Sequence, residues 1–176
     1  MTTQDATLIA AVIAAIASVL RLLFDRSAEE RTNFRVLLQP IVAELGESLH
    51  GIVATSYQMG RSNSEESYKN WLDKAESERN KLEKLRPLLR YPLWGIDEGL
   101  RVLIRLPGWT QHAKGQPERL RSLNKRATRL RAMLDVVILR CYINGRPPSV
   151  LEQLQVNIYA WHCRQAFNKR SSGPAN

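Results

Sequence analysis

An all-α protein, with a single N-terminal transmembrane helix followed by a small antiparallel helical bundle, is the fold class that the sequence predicts. Three observations predict it. The stretch from Ala6 to Leu20 carries no charged side chain. Beyond it, apolar residues recur at spacings of three and four over several long segments. No segment alternates apolar and polar residues as a half-buried strand does. Once the anchor is set aside, the 176-residue chain leaves about 150 residues, the commonest size for one domain. The expected division is an anchor over 1–26, a cytosolic helical domain over 27–170 and a disordered tail over 171–176.

The first element is the anchor. With the head of Arg21 reaching toward the interface, the span extends to Phe24, roughly 28 Å at ~1.5 Å per residue. A cleavable signal peptide competes through the small-x-small site Ala15-Ile16-Ala17. Against it, the short leading region holds Asp5 and no Lys or Arg, and the apolar run continues past the site. Arg21, Arg26, Arg31 and Arg35 follow the span and no basic residue precedes it, so the positive-inside rule puts the N-terminus outside the cell and the C-terminal domain in the cytoplasm. Ala10, Ala14 and Ser18 repeat at every fourth position, the pattern that lets two spans approach closely in a homo-oligomer. An alanine-rich span without a partner has the same composition.

The remaining elements follow in order. Ser27 with Glu30 has the form of a capping box, which predicts a second helix to about Met59, with Phe34, Leu37, Leu38, Ile41, Leu45, Leu49, Ile52 and Val53 on one face. Pro40 is expected to kink or divide it. A third helix is expected from the caps Ser62, Asn63 and Ser64 to about Leu85, with Tyr68, Trp71, Leu72, Ala75, Leu82 and Leu85 inward and Pro87 as its stop. Between Leu88 and Trp109 the chain is apolar and interrupted by Pro and Gly, with room for a short helix from Ile96 to Leu106. The clearest periodicity comes next: Leu120, Leu123, Ala127, Leu130, Leu134, Val137 and Cys141, after Pro117 at a first-turn position. Asn144-Gly145 and Pro147-Pro148 then make a turn. Ser149 and Glu152 cap a last helix expected to point Leu151, Leu154, Ile158 and Trp161 inward.

Charge is unevenly distributed. Residues 1–100 hold 12 basic and 14 acidic side chains, whereas 101–146 hold 11 and 2. A concentrated positive field implies an anionic partner, whether nucleotide, nucleic acid, acidic lipid or an acidic protein surface. Arg119, Arg121, Lys125, Arg126, Arg129 and Arg131 share one helix and form the candidate binding cluster. The bland alternative is a solvated face neutralised by Glu76, Glu78 and Glu83 of the third helix. Trp94 and Trp109, with Arg21 and Arg26, suit the headgroup region, and the apolar segment between the two tryptophans could lie in it. An ordinary buried helix would use the same residues.

Candidates for chemistry are weak. Glu44, Glu47 and His50 have helical spacing but sit beside an apolar stripe, and His162 and Cys163 are neighbours that point apart. There is no Gly-rich phosphate loop, no GxSxG and no CxxC. Two cysteines, 22 apart, do not make a secreted disulfide framework. No enzyme activity, metal or cofactor is therefore expected. The expected function is that of a single-pass membrane-anchored interaction protein with a basic cytosolic surface, binding a protein partner or itself. In layout the chain is similar to small membrane effectors of bacterial antiphage defence. That likeness implies an alternative function, in which the basic domain senses an anionic nucleotide or nucleic acid and drives clustering of the membrane helices.

Overall fold

The computed structural model describes residues 3–89, 93 and 96–168, with side chains from Arg26 onward. Among them there are six helices and no strand: α1 Thr3–Arg61, α2 Glu65–Leu89, α3 Asp97–Ile104, α4 Leu106–His112, α5 Pro117–Asn144 and α6 Val150–Asn168. Trp94 and the expected tail, 171–176, lie outside the described residues.

The expected anchor and the expected second helix are one helix, α1. Ser27 does not start a new element, because Glu30 turns to Arg26 one turn back, Nε to Oε1 3.3 Å, and no Gly or Pro in that region breaks the helical path. Nor does Pro40 divide it. A proline in a helix interior frees the carbonyl four residues back. Here that carbonyl belongs to Val36, which is exposed, as is Pro40, so water can take the lost donor's place. Pro87, expected as a stop, likewise sits inside α2, and the helix runs only two residues further.

One helix is long and apolar enough to cross a membrane, and it lies near the N-terminus. Among the described side chains the stretch that qualifies is Arg26–Arg61. Leu38, Leu45, Leu49 and Ile52 of that stretch are fully buried in the bundle, so its inner face is core, whereas Leu37, expected on the same face, is exposed. The expected span, Ala6 to Phe24, and its small residues Ala10, Ala14 and Ser18 belong to the part of α1 whose side chains are outside the described residues.

α1 is the axis of the bundle. Ser64 caps α2, its Oγ accepting from the Ser67 N–H at 3.2 Å. α2 packs back along α1 where Gly51 meets the Glu78 side chain. α5 runs antiparallel to α1: Arg35 donates to the Ile143 carbonyl, Arg131 meets His50, and Leu120 packs on Gly60. α6 then returns along α5, with Arg140 on Glu152 at 2.6 Å and Arg129 over the Tyr159 ring at 5.1 Å. All seven residues expected inward on α5 are buried. Its C-terminus is closed at Gly145, φ +60°, where the N–H groups of Gly145 and Arg146 bond to the carbonyls of Tyr142 and Cys141, a left-handed cap that glycine adopts without steric cost.

Two further expectations are corrected. The apolar segment after Leu93 forms two helices rather than one, breaking at Arg105 so that Pro107 can occupy the first turn of α4. On α6 the inward face is the opposite one. Leu151, Leu154, Ile158 and Trp161 are exposed, and Gln153, Val156, Ala160, Cys163 and Phe167 are buried. Both stripes have helical spacing, so periodicity does not choose between them; size does. A Cβ on Gly99 of α3 would come within 3.1 Å of Val156, an approach that the small residues of the buried stripe permit and the leucine stripe would block. Gln153 is satisfied by the Pro148 carbonyl at 3.0 Å.

Candidate anion-binding site

The basic residues of α5 divide when each side chain is traced. Arg131 is held by His50 and by Asp135 at 3.4 Å, and Arg129 lies over Tyr159. Arg119 reaches Gln116 at 3.4 Å. Arg121 and Lys125 are exposed, Arg126 is half-buried near Cys163, and none of the three has a carboxylate partner among the described residues. The acids expected to neutralise this face do not reach it. Glu78 pairs with Lys81 at 2.8 Å and Glu83 with Arg79 at 3.0 Å, both on α2 itself, because α2 packs against α1 and α3.

A second set of cations, dispersed in the sequence, joins Arg121 in space. At the end of α1 an open cleft of about 930 Å³ is lined by Tyr57, Arg61, Ser62, Asn63, Lys114, Gln116 and Arg121, with no acidic residue among the described ones. Each part has a structural reason to be there. Arg61 ends α1, stacked over Tyr57 at 5.4 Å with its Nη1 3.3 Å from the phenol oxygen. Lys114 sits in the α4–α5 turn, 3.8 Å from the centre of the Tyr68 ring. Arg121 is on the first turns of α5, whose N-terminus borders the cleft and adds a partial positive charge. Cations held over aromatic rings keep their charge while losing side-chain freedom. With hydroxyl and amide groups beside them, the set is suited to phosphate oxygens. Sequence reasoning named only Arg121 of these, since Arg61 and Lys114 have no basic neighbour in their own segments to draw notice.

A second basic cleft, of about 810 Å³, is lined by Arg79, Glu83, Arg86, Arg101 and Arg105. It is largely neutralised. Arg86 forks onto Asp97 through Nε at 2.5 Å and Nη2 at 3.1 Å, and Arg101 joins the same carboxylate at 2.9 Å. The Arg86 contact holds the Asp97 carboxyl below its ordinary range.

Distance along α1 separates these features from the expected membrane end. His50, beside Arg131, is 26 positions past Phe24, and at ~1.5 Å per residue that is roughly 39 Å. The cleft at Arg61 is roughly 55 Å from the same point by the same measure. Trp109, expected at headgroup depth, packs on Phe167 with centroids 4.8 Å apart in α4, beside the far end of α1. Arg26 is exposed and paired with Glu30, and the Arg21 side chain is outside the described residues. Leu93, Ile96, Leu100, Leu103 and Leu106, which an interfacial helix could have used, are all buried in the core.

Glu44 and Glu47 are exposed on α1 and His50 is taken by Arg131. Among the described residues no group of three His, Cys, Asp or Glu side chains could hold a metal ion. Cys141 and Cys163 are buried free thiols, each pushed up to about 11 by loss of solvent. No protein-family model, curated protein or solved structure matches the chain.

Proposed function

We propose that this protein is a single-pass membrane-anchored helical bundle that recognises an anionic ligand at the end remote from the bilayer. The observation that carries the reading is the cleft of Arg61, Lys114 and Arg121, three cations from three segments with no carboxylate among its walls. Like charges gathered in one place repel, and the arrangement is stabilised when an anion fills it. The uncharged N-terminal run of α1, followed by four arginines, supports the anchored part of the reading and the cytoplasmic side of the bundle. A small phosphate-bearing ligand is the chemistry that fits. The acidic lipid of the protein's own membrane fits less well, because surface potential decays within about 10 Å and the cleft stands several times farther away. Clustering of the spans on ligand arrival, as in the defence effectors that share this layout, is the second reading. It is favoured by an unpaired cationic face that continues from the cleft along α5 through Lys125.

The test is a thermal-shift titration of the full chain in detergent with inorganic phosphate, mononucleotides, cyclic nucleotides and short oligonucleotides. A ligand at a hundred times its Kd stabilises the folded state by about 2.7 kcal/mol. The triple variant Arg61→Glu, Lys114→Glu, Arg121→Glu is expected to lose that shift while its unliganded Tm falls only modestly, since Arg61 and Lys114 each give up a cation–π contact worth roughly 0.5 to 1 kcal/mol and Arg121 is exposed. An equal shift in the variant, or none with any ligand class in the wild type, overturns the reading.

A further inference from the structure

The outer surface of the α5–α6 hairpin carries an apolar face that the fold leaves uncovered. On α5, Val136, Leu139 and Ile143 are spaced by three and four opposite the buried stripe, and on α6 Leu151, Leu154 and Ile158 do the same, with Trp161 continuing the row. Their exposures run from 47% to 63%. The helices are antiparallel and joined edge to edge by Arg140–Glu152 and Arg129–Tyr159, so with about 100° per residue both rows point away from the core on the same side. Six of the seven side chains are aliphatic and smaller than an aromatic's ~150 to 250 Å², so at half exposure the rows leave on the order of 500 Å² of apolar surface in water, the upper end of what a monomer shows.

We propose that a second copy of this chain docks on this face with the same face of its own. Area is the first support, since a standard interface removes about 800 Å² per partner. Orientation is the second, and it rests on the anchored reading above. α5 runs alongside α1, and α6 alongside α5, so the apolar rows lie parallel to the span and stand upright on the bilayer. Lipid would reach only their lower edge. Two copies held in one membrane share that upright direction, and a two-fold axis along the membrane normal brings identical upright faces together, as a closed symmetric dimer requires. Charge works against pairing and makes it conditional. The outward line of α5 continues upward into Arg121 and Lys125, so pairing sets two basic rows side by side, opposing association until salt or a polyvalent anion screens them.

Oxidative cross-linking of the full chain in native membranes tests this. Cys141 and Cys163 are buried, so Leu154→Cys supplies the reactive thiol and Lys69→Cys, exposed on α2, is the matched control. Leu154→Cys is expected to give disulfide-linked dimers several-fold more readily than Lys69→Cys, and Leu139→Glu with Ile158→Glu is expected to bring it down to the control level. Adding salt should raise the yield. Equal cross-linking at both positions, a yield untouched by the glutamates, or a yield that falls with salt overturns the proposal. If the double glutamate variant does not fold, the comparison of the two single-cysteine chains still decides. Carbonate extraction of the same membranes reads the anchor separately: a chain that washes off refutes the anchored reading, whereas one that stays without cross-linking refutes the dimer alone.

Discussion

The Ser56 hydroxyl is buried beside Val53, Leu106, Thr110 and Leu123 and has no hydrogen-bond partner among the described residues. A buried polar group left unpaired costs about 1 to 3 kcal/mol. Ser56→Ala is therefore expected to raise the Tm in a thermal melt, and a fall would mean that the hydroxyl is satisfied. Gly145 is the opposite case. At φ +60° a side chain is strained, and a Cβ would lie 2.6 Å from the Arg31 carbonyl, so Gly145→Ala should destabilise, and by more than the roughly 0.4 to 1 kcal/mol by which the same replacement stabilises at a compatible position. Of the two, Gly145 was legible in the sequence, because Asn-Gly after a long periodic helix is a stop signal with a mechanism. Ser56 was not, since a serine on a helical face carries no mark of what packs over it.

For whole elements, legibility followed contrast between faces. On α5 the buried stripe is apolar along the whole helix, whereas the opposite face turns apolar only at Val136, Leu139 and Ile143, so register and burial could be read together. On α6 two stripes are apolar, and the choice fell to the close approach of Val156 to Gly99 of α3, a tertiary fact absent from local sequence. The same limit hid the cleft, whose cations come from α1, the α4–α5 turn and α5. Pro40 offers an element-scale test. In an exposed helix interior proline costs about 3 kcal/mol relative to alanine, so Pro40→Ala should raise the Tm, by up to that amount if the backbone closes fully. Acid response belongs to the joints between helices. The Asp97 carboxyl is depressed by Arg86, and Glu152 by the Ser149 N–H and by Arg140. Groups depressed in the folded state stabilise it above their unfolded values, near pH 4, and that stabilisation disappears as pH falls through the folded values. Asp97→Asn with Glu152→Gln should start from a lower Tm at neutral pH and lose less of it on acidification. A parallel decline in both proteins would exclude these two joints as the source.

At the scale of the whole molecule, the proposed anchor predicts that the full chain resists carbonate extraction and that Ile13→Arg reduces insertion by about 2.5 to 3.5 kcal/mol, read as membrane yield. Undiminished yield would count against the span. That α1 passes without Gly or Pro from the last residues of the proposed span into the core as far as Gln39 has a mechanical meaning. With the proposed span in the bilayer, the bundle would be a lever whose short arm is embedded. A lean of about 20°, ordinary for a single span, carries the Arg61 end roughly 19 Å sideways over an arm of ~55 Å. In the proposed anchored state, a change of lean forced by mismatch with the bilayer would be magnified at the far end, as a stiff mast magnifies the roll of its deck.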